Sequence, residues 1–148
     1  MDEKSLKKYS RNALLGSFVS MLTAGLATMM YSVCLGTIQT ELSLTAAQSG
    51  SLATYTFMGQ MLGGMVAGYI ADRIGRKKVL IVDVILATGA VFATSFLTSY
   101  SIFGLLRFIT GVGLGGCYYI ASILIGEFVS TDKRGFMSGV STSVWNFG

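Results

Sequence analysis

Apolar residues come in long blocks separated by short polar segments. The first block runs over 13–38 and contains no charge. The second covers about 50–71, the third 79–98 with Asp83 inside it, and the fourth 102–126 with Arg107 inside it. Each supplies the roughly 20 mainly apolar residues that a membrane-spanning helix needs. A fifth block begins at Phe136 and stops at Gly148, after about half a crossing. The pattern therefore predicts an all-α integral membrane chain of four and a half spans behind a tail of residues 1–12. A half-span leaves backbone groups unpaired in lipid. We therefore expect the first part of a larger protein, or a truncated gene product. The first block follows Lys4, Lys7, Lys8 and Arg11, as a secretory leader would, but it is longer than the 7–15 residues of a leader's apolar core and more spans follow.

Composition agrees with the blocks. The 148 residues are 52% hydrophobic and 12% charged, against about 25% charged in an average soluble domain, and mean hydropathy is +0.64. That argues against an ordinary soluble enzyme. The net charge of +4 is not a nucleic-acid signal, because the basic residues lie in a few short segments between apolar blocks. With no His and only Cys34 and Cys117, a metal site is hard to assemble and no cofactor is expected. Both cysteines are read as small buried apolar side chains.

Loop charges give an orientation. The tail is basic, segment 39–49 has Glu41 and no Lys or Arg, and the next segment has Arg73, Arg76, Lys77 and Lys78. Segment 99–101 is uncharged, and Lys133 and Arg134 follow the fourth block. This alternation places the N-terminus and both basic loops in the cytoplasm.

Three motifs carry chemistry. The first is Gly68-Tyr69-Ile70-Ala71-Asp72-Arg73-Ile74-Gly75-Arg76-Lys77-Lys78 between the second and third spans. Gly68 admits a close helix neighbour, Asp72 puts a negative charge where a neighbouring helix N-terminus can meet it, and Gly75 permits a tight turn. The stretch resembles the signature loop of the major facilitator superfamily, G-x-x-A-D-R-x-G-R-R/K. The second motif, Arg107 followed by Gly111, Gly113, Gly115 and Gly116, resembles the same family's fourth-helix element. An Arg inside a span must face protein, water or a counter-charge. Arg107 is therefore expected to serve a substrate cavity or a proton relay; the alternative is an Arg that snorkels to the outer interface. The third, Glu127 through Arg134 and Gly135, resembles the E-x-x-x-x-x-x-R-G element of the family's sugar and organic-acid branches. Glu127 is expected to pair with Arg76, and Arg134 with an acid of a loop or another helix, as a two-state cytoplasmic latch; solvated, unpaired charges are the plainer reading.

Small residues repeat at helical spacing. Gly59 with Gly63, Gly64 with Gly68, Gly111 with Gly115, and Gly135 with Gly139 each mark a face for close helix packing. Gly111, Gly113 and Gly116, with Asp132 downstream, also match a dinucleotide-binding pattern, but that fingerprint needs a preceding strand and a soluble βαβ unit. Asp83 is expected as a capped or snorkelling interfacial acid rather than a proton carrier. It and Arg107 belong near opposite faces and are not paired. Tyr118, Tyr119 and Trp145 are expected to pack or anchor rather than line a cavity.

The resemblance implies the N-terminal part of a twelve-helix secondary transporter working by alternating access, driven by an ion gradient or running as a facilitator. It is closest in look to organic and aromatic acid:proton symporters and sugar-porter-like branches. That group carries two Asp in its first helix; Ala24 and Ala27 stand there here, and Gly36 replaces the usual Pro. The expected partners are a small-molecule substrate, an anionic one at Arg107, together with a coupling proton, the lipid bilayer and a C-terminal half. The alternatives are a drug or metabolite exporter of the same family, and a truncated non-transporting membrane protein that packs on another through its glycine faces.

Overall fold

Long apolar runs without proline can satisfy their backbone only internally once water is excluded, so helices are the natural outcome. A computed structural model describes the backbone of residues 3–96, 99–129 and 131–147, and side chains over 14–96, 99–127, 129 and 135–143. Five helices account for most of the described residues: α1 (Glu3–Glu41), α2 (Ala46–Ile74), α3 (Arg76–Thr94), α4 (Tyr100–Phe128) and α5 (Thr131–Phe147). Hydroxyls inside the apolar runs turn back on their own helix. Ser20 donates to the Gly16 carbonyl at 2.7 Å, Thr28 to Ala24 at 2.9 Å and Thr110 to Leu106 at 2.8 Å.

The helices extend past the predicted blocks. α1 begins at Glu3 instead of residue 13, so the basic tail continues the first helix. α5 begins at Thr131, which places the backbone of Arg134 in a helix rather than a loop. α3 is shifted to Arg76–Thr94. The α1–α2 connection shrinks to a few residues. There, Thr45 accepts from the Gln48 N–H at 3.3 Å while its own N–H donates to Gln48 Oε1 at 2.9 Å, closing a capping box. Among the described residues, two helices, over Leu14–Glu41 and Tyr100–Glu127, are long and apolar enough to cross a bilayer. α2, with 29 residues, is about 44 Å long and α3, with 19, about 28 Å.

α4 is central and packs against α1, α2 and α3. The contact register gives the directions. Along α2 and α4, Gly59 meets Phe108, Gly63 meets Val112 and Gly68 meets Tyr119, so the two run parallel. Along α3 and α4, Asp83 meets Gly116 while Ala87 meets Gly113, so these run antiparallel. α1 runs with α3 and against α4, because Ala24 lies beside Leu114 while Tyr31, further along α1, lies beside Phe103 and Arg107, earlier on α4. One end of the bundle therefore gathers Asp72, Arg76 and Glu127, and the other gathers Tyr31, Phe103 and Arg107. The outward faces stay apolar: Val33, Met30, Phe57, Met61 and Met65 are exposed. That suits lipid or further protein rather than water.

Candidate functional site

The charged end is built around Gly75. Its φ of +94° is a conformation that side chains disfavour. Its N–H donates to the Ala71 carbonyl at 3.0 Å, so α2 turns into α3 without a gap. That turn makes Arg76 the first residue of α3. Its guanidinium forms an ion pair with Glu127, near the end of α4, and lies 4.0 Å from Asp72 one turn earlier. Arg73 points elsewhere, with its guanidinium carbon 4.3 Å from the Tyr69 ring centroid. Asp72, Arg76 and Glu127 thus form one bridge across three helices. The side chain of Arg134 lies outside the described residues, as do those of Asp132 and Trp145.

Between the two ends, glycines set the helix spacing. A Cβ at Gly59 would fall on the Phe108 carbonyl oxygen, one at Gly63 on that of Val112, one at Gly111 on that of Thr56 and one at Gly115 on that of Gln60. The α-hydrogens in those directions point at carbonyls of the other helix, reciprocally. The sequence marked Gly59, Gly63, Gly111 and Gly115 as packing positions but not as partners of one another. Gly68 lies under the Tyr119 ring. Gly135 and Gly139 have no atom within reach of a Cβ among the described residues.

Asp83 does not reach outward as a snorkelling acid would: it is 8% exposed, its carboxylate sits against Gly116, and Oδ2 has no hydrogen-bond partner. The alternate α4 glycines, Gly113 and Gly116, make the room for it, which also gives the nucleotide-like pattern a plain packing role inside a continuous helix. Cys34 departs from its expectation. Cys117 is buried as expected, but Cys34 is exposed.

Arg107 does not snorkel. It is 5% exposed, with its guanidinium carbon 3.5 Å from the Tyr31 ring centroid and 5.3 Å from that of Phe103. Among the described residues no carboxylate pairs with it. Ala24 and Ala27 pack against Ala87 and Leu114, so the α1 face that would have held acids is filled by methyl groups. Tyr31 and Phe103 had no place in the sequence-level site. The available signal was a Tyr in the charge-free first block and a Phe one turn before Arg107.

A charge bridge at one end of α2, α3 and α4, and a buried arginine at the other, are the elements the three motifs outlined. The family model of the Major Facilitator Superfamily matches residues 17–148. The chain belongs to the major facilitator superfamily. It is 29% identical over 136 residues to the cis,cis-muconate transport protein of Acinetobacter baylyi, covering 92% of this chain and 33% of that protein. It is 30% identical over 148 residues to the inner membrane metabolite transport protein YgcS of Escherichia coli, covering 100% of this chain and 33% of that protein. It is 34% identical over 119 residues to synaptic vesicle glycoprotein 2B of Rattus norvegicus, covering 79% of this chain and 17% of that protein. The chain spans no more than a third of the length of these relatives. Membership makes this an all-α membrane chain of a solute-transport family.

Proposed function

We propose that the chain forms part of the N-terminal half of a secondary transporter in the cell membrane, with its N-terminus in the cytoplasm. The transporter moves a small anionic metabolite, an organic acid in the first instance, by alternating access. The observation that carries the reading is Arg107, a buried arginine on the central helix with no acid beside it among the described residues. A buried cation without a counter-ion is costly in a bilayer, and an anionic solute would supply the missing charge. The muconate relative, named for the transport of a dicarboxylate, supports the same class. Sugar-like metabolites, which the third motif also suggested, are the neighbouring class.

The charged end acts in this reading as the cytoplasmic latch. Asp72, Arg76 and Glu127 bridge α2, α3 and α4; Arg73, whose guanidinium lies over Tyr69, and Arg134 are further basic residues of the same motifs and are not counted in the bridge. The bridge is made when the cytoplasmic side is closed and is broken when it opens. Proton coupling, if this transporter uses it, draws on an acid outside the first helix, since Ala24 and Ala27 cannot carry a proton.

The test is uptake by cells expressing the full-length protein, against a panel of labelled organic acids and sugars, with and without a proton uncoupler. The expected result is accumulation of at least one carboxylate, lost in Arg107→Gln at equal membrane expression. No accumulation of any panel member, or an Arg107→Gln variant as active as wild type, rejects the reading. Accumulation abolished by the uncoupler assigns proton coupling.

A further inference from the structure

An arginine buried in a bilayer needs something to face, and in most sites that something is a carboxylate. Arg107 faces rings instead. Tyr31 lies directly over its guanidinium, and Phe103, one turn earlier on α4, covers it from a second direction. We infer that Tyr31 is a positioning residue for Arg107: its ring face takes the place of a counter-ion and leaves the N–H edge of the guanidinium for a carboxylate-bearing solute. The inference rests on the transport reading of Arg107 and names a residue which that reading lacks.

Geometry separates this arrangement from an ion pair. A carboxylate partner meets the guanidinium edge-on and uses the same N–H groups that a carboxylate ligand would need. An aromatic ring meets the flat face and uses none of them. The outcome is visible in the structure. The Nε of Arg107 is buried with no acceptor, and the hydroxyl of Tyr31 is buried with no partner either. An Nε–H buried without an acceptor is unfavourable, and a solute carboxylate meeting the guanidinium edge would supply that acceptor.

The ring is itself held firmly. Tyr31 packs with Ile38, Leu42 and Tyr100 on the buried cluster of Leu44, Leu52 and Phe103. Tyr100 is tied to α2 by a 2.5 Å hydrogen bond between its hydroxyl and that of Ser51. Three helices therefore fix the ring before any solute arrives, as a preorganised site requires. The same ring explains how Ala24 and Ala27 are compatible with an unpaired Arg107: the guanidinium has a partner on α1, and it is not an acid.

Two substitutions test the inference. Tyr31→Phe keeps the ring and removes the hydroxyl; Tyr31→Leu removes the ring and keeps an apolar side chain. The first measurement needs no solute. In the purified full-length protein, a nitrogen-edited NMR spectrum of the arginine Nε–H groups should show the Arg107 proton displaced upfield by the ring. That displacement should persist in Tyr31→Phe and vanish in Tyr31→Leu. The second measurement is uptake of cis,cis-muconate and of its uncharged diamide into proteoliposomes. Tyr31→Leu should raise KM for muconate about tenfold, leaving the maximal rate and any diamide uptake unchanged, while Tyr31→Phe stays within about threefold of wild type. A Tyr31→Leu protein that keeps both the displaced resonance and the wild-type KM overturns the inference. So does one that loses maximal rate and diamide uptake together, the signature of a packing defect. A wild type that takes up no muconate counts against the transport reading, and the resonance then decides the placement of Arg107 alone.

Discussion

Gly63→Ala is the sharpest test of how α2 and α4 are joined. An added Cβ would fall on the Val112 carbonyl and come within 2.6 Å of its Cα, whereas ordinary contact starts near 3.4 Å. Both obstacles are backbone, so neither can rotate away. The helices must part, and a separation of about 1 Å forfeits a quarter to a half of each dispersion contact along the seam. It also stretches the reciprocal Cα–H···O contacts at Gly59, Gly111 and Gly115, worth about 0.5–1 kcal/mol each. Overpacking of this kind costs about 1–3 kcal/mol. The better helix propensity of Ala returns up to about 1 kcal/mol, so the net loss should be about 1–2 kcal/mol. Gly36→Ala is the internal control: no atom lies within 4 Å of its Cβ position, so the same propensity gain is unopposed and the variant should be neutral or slightly stabilised. The assay is reversible unfolding of the purified protein in mixed micelles, with both variants measured beside wild type. Equal stability of Gly63→Ala and Gly36→Ala would refute backbone-to-backbone packing at this seam.

Other outcomes follow from the same geometry. Gly116→Ala drives a methyl group into the Asp83 carboxylate and should cost about 1–3 kcal/mol; adding Asp83→Ala should restore most of that loss, and strictly additive losses in the unfolding assay would show that the two residues do not share the space. Gly75→Ala must hold a side chain at φ +94°, so a loss of about 1–2 kcal/mol is expected; an unchanged melting curve would mean that the turn relaxes freely. Glu127→Gln breaks the bridge to Arg76, but because the pair is partly open to solvent its stability change should stay under about 1 kcal/mol. Uptake by the same variant should nonetheless slow, and wild-type uptake would remove the latch assignment.

What the sequence could show follows from what kind of signal each feature leaves. Helices and their order were legible because bilayer-length apolar blocks have few alternative folds. Their ends were not, because a helix can run on into polar residues at little cost, as α1 does through the tail and α5 through Arg134. The charged end was legible because Asp72, Gly75, Arg76 and Glu127 are constrained one by one, by a charge, a positive φ and a counter-charge. Pairing between glycine faces was not legible, because spacing says that a face is flat without saying what lies on it. Arg107 and Asp83 mark the boundary most clearly. Each is an ionisable group inside an apolar block, and the same cost argument applied to both. For Arg107 it correctly demanded a partner, but it searched among charges and so passed over the π face of Tyr31. For Asp83 it favoured an escape to the interface, because nothing in the spacing of Gly113 and Gly116 shows that they open a seat for a carboxyl on the neighbouring helix. In both cases the residue that the buried side chain meets, Tyr31 for Arg107 and Gly116 for Asp83, lies on another helix, where a one-dimensional pattern carries no information.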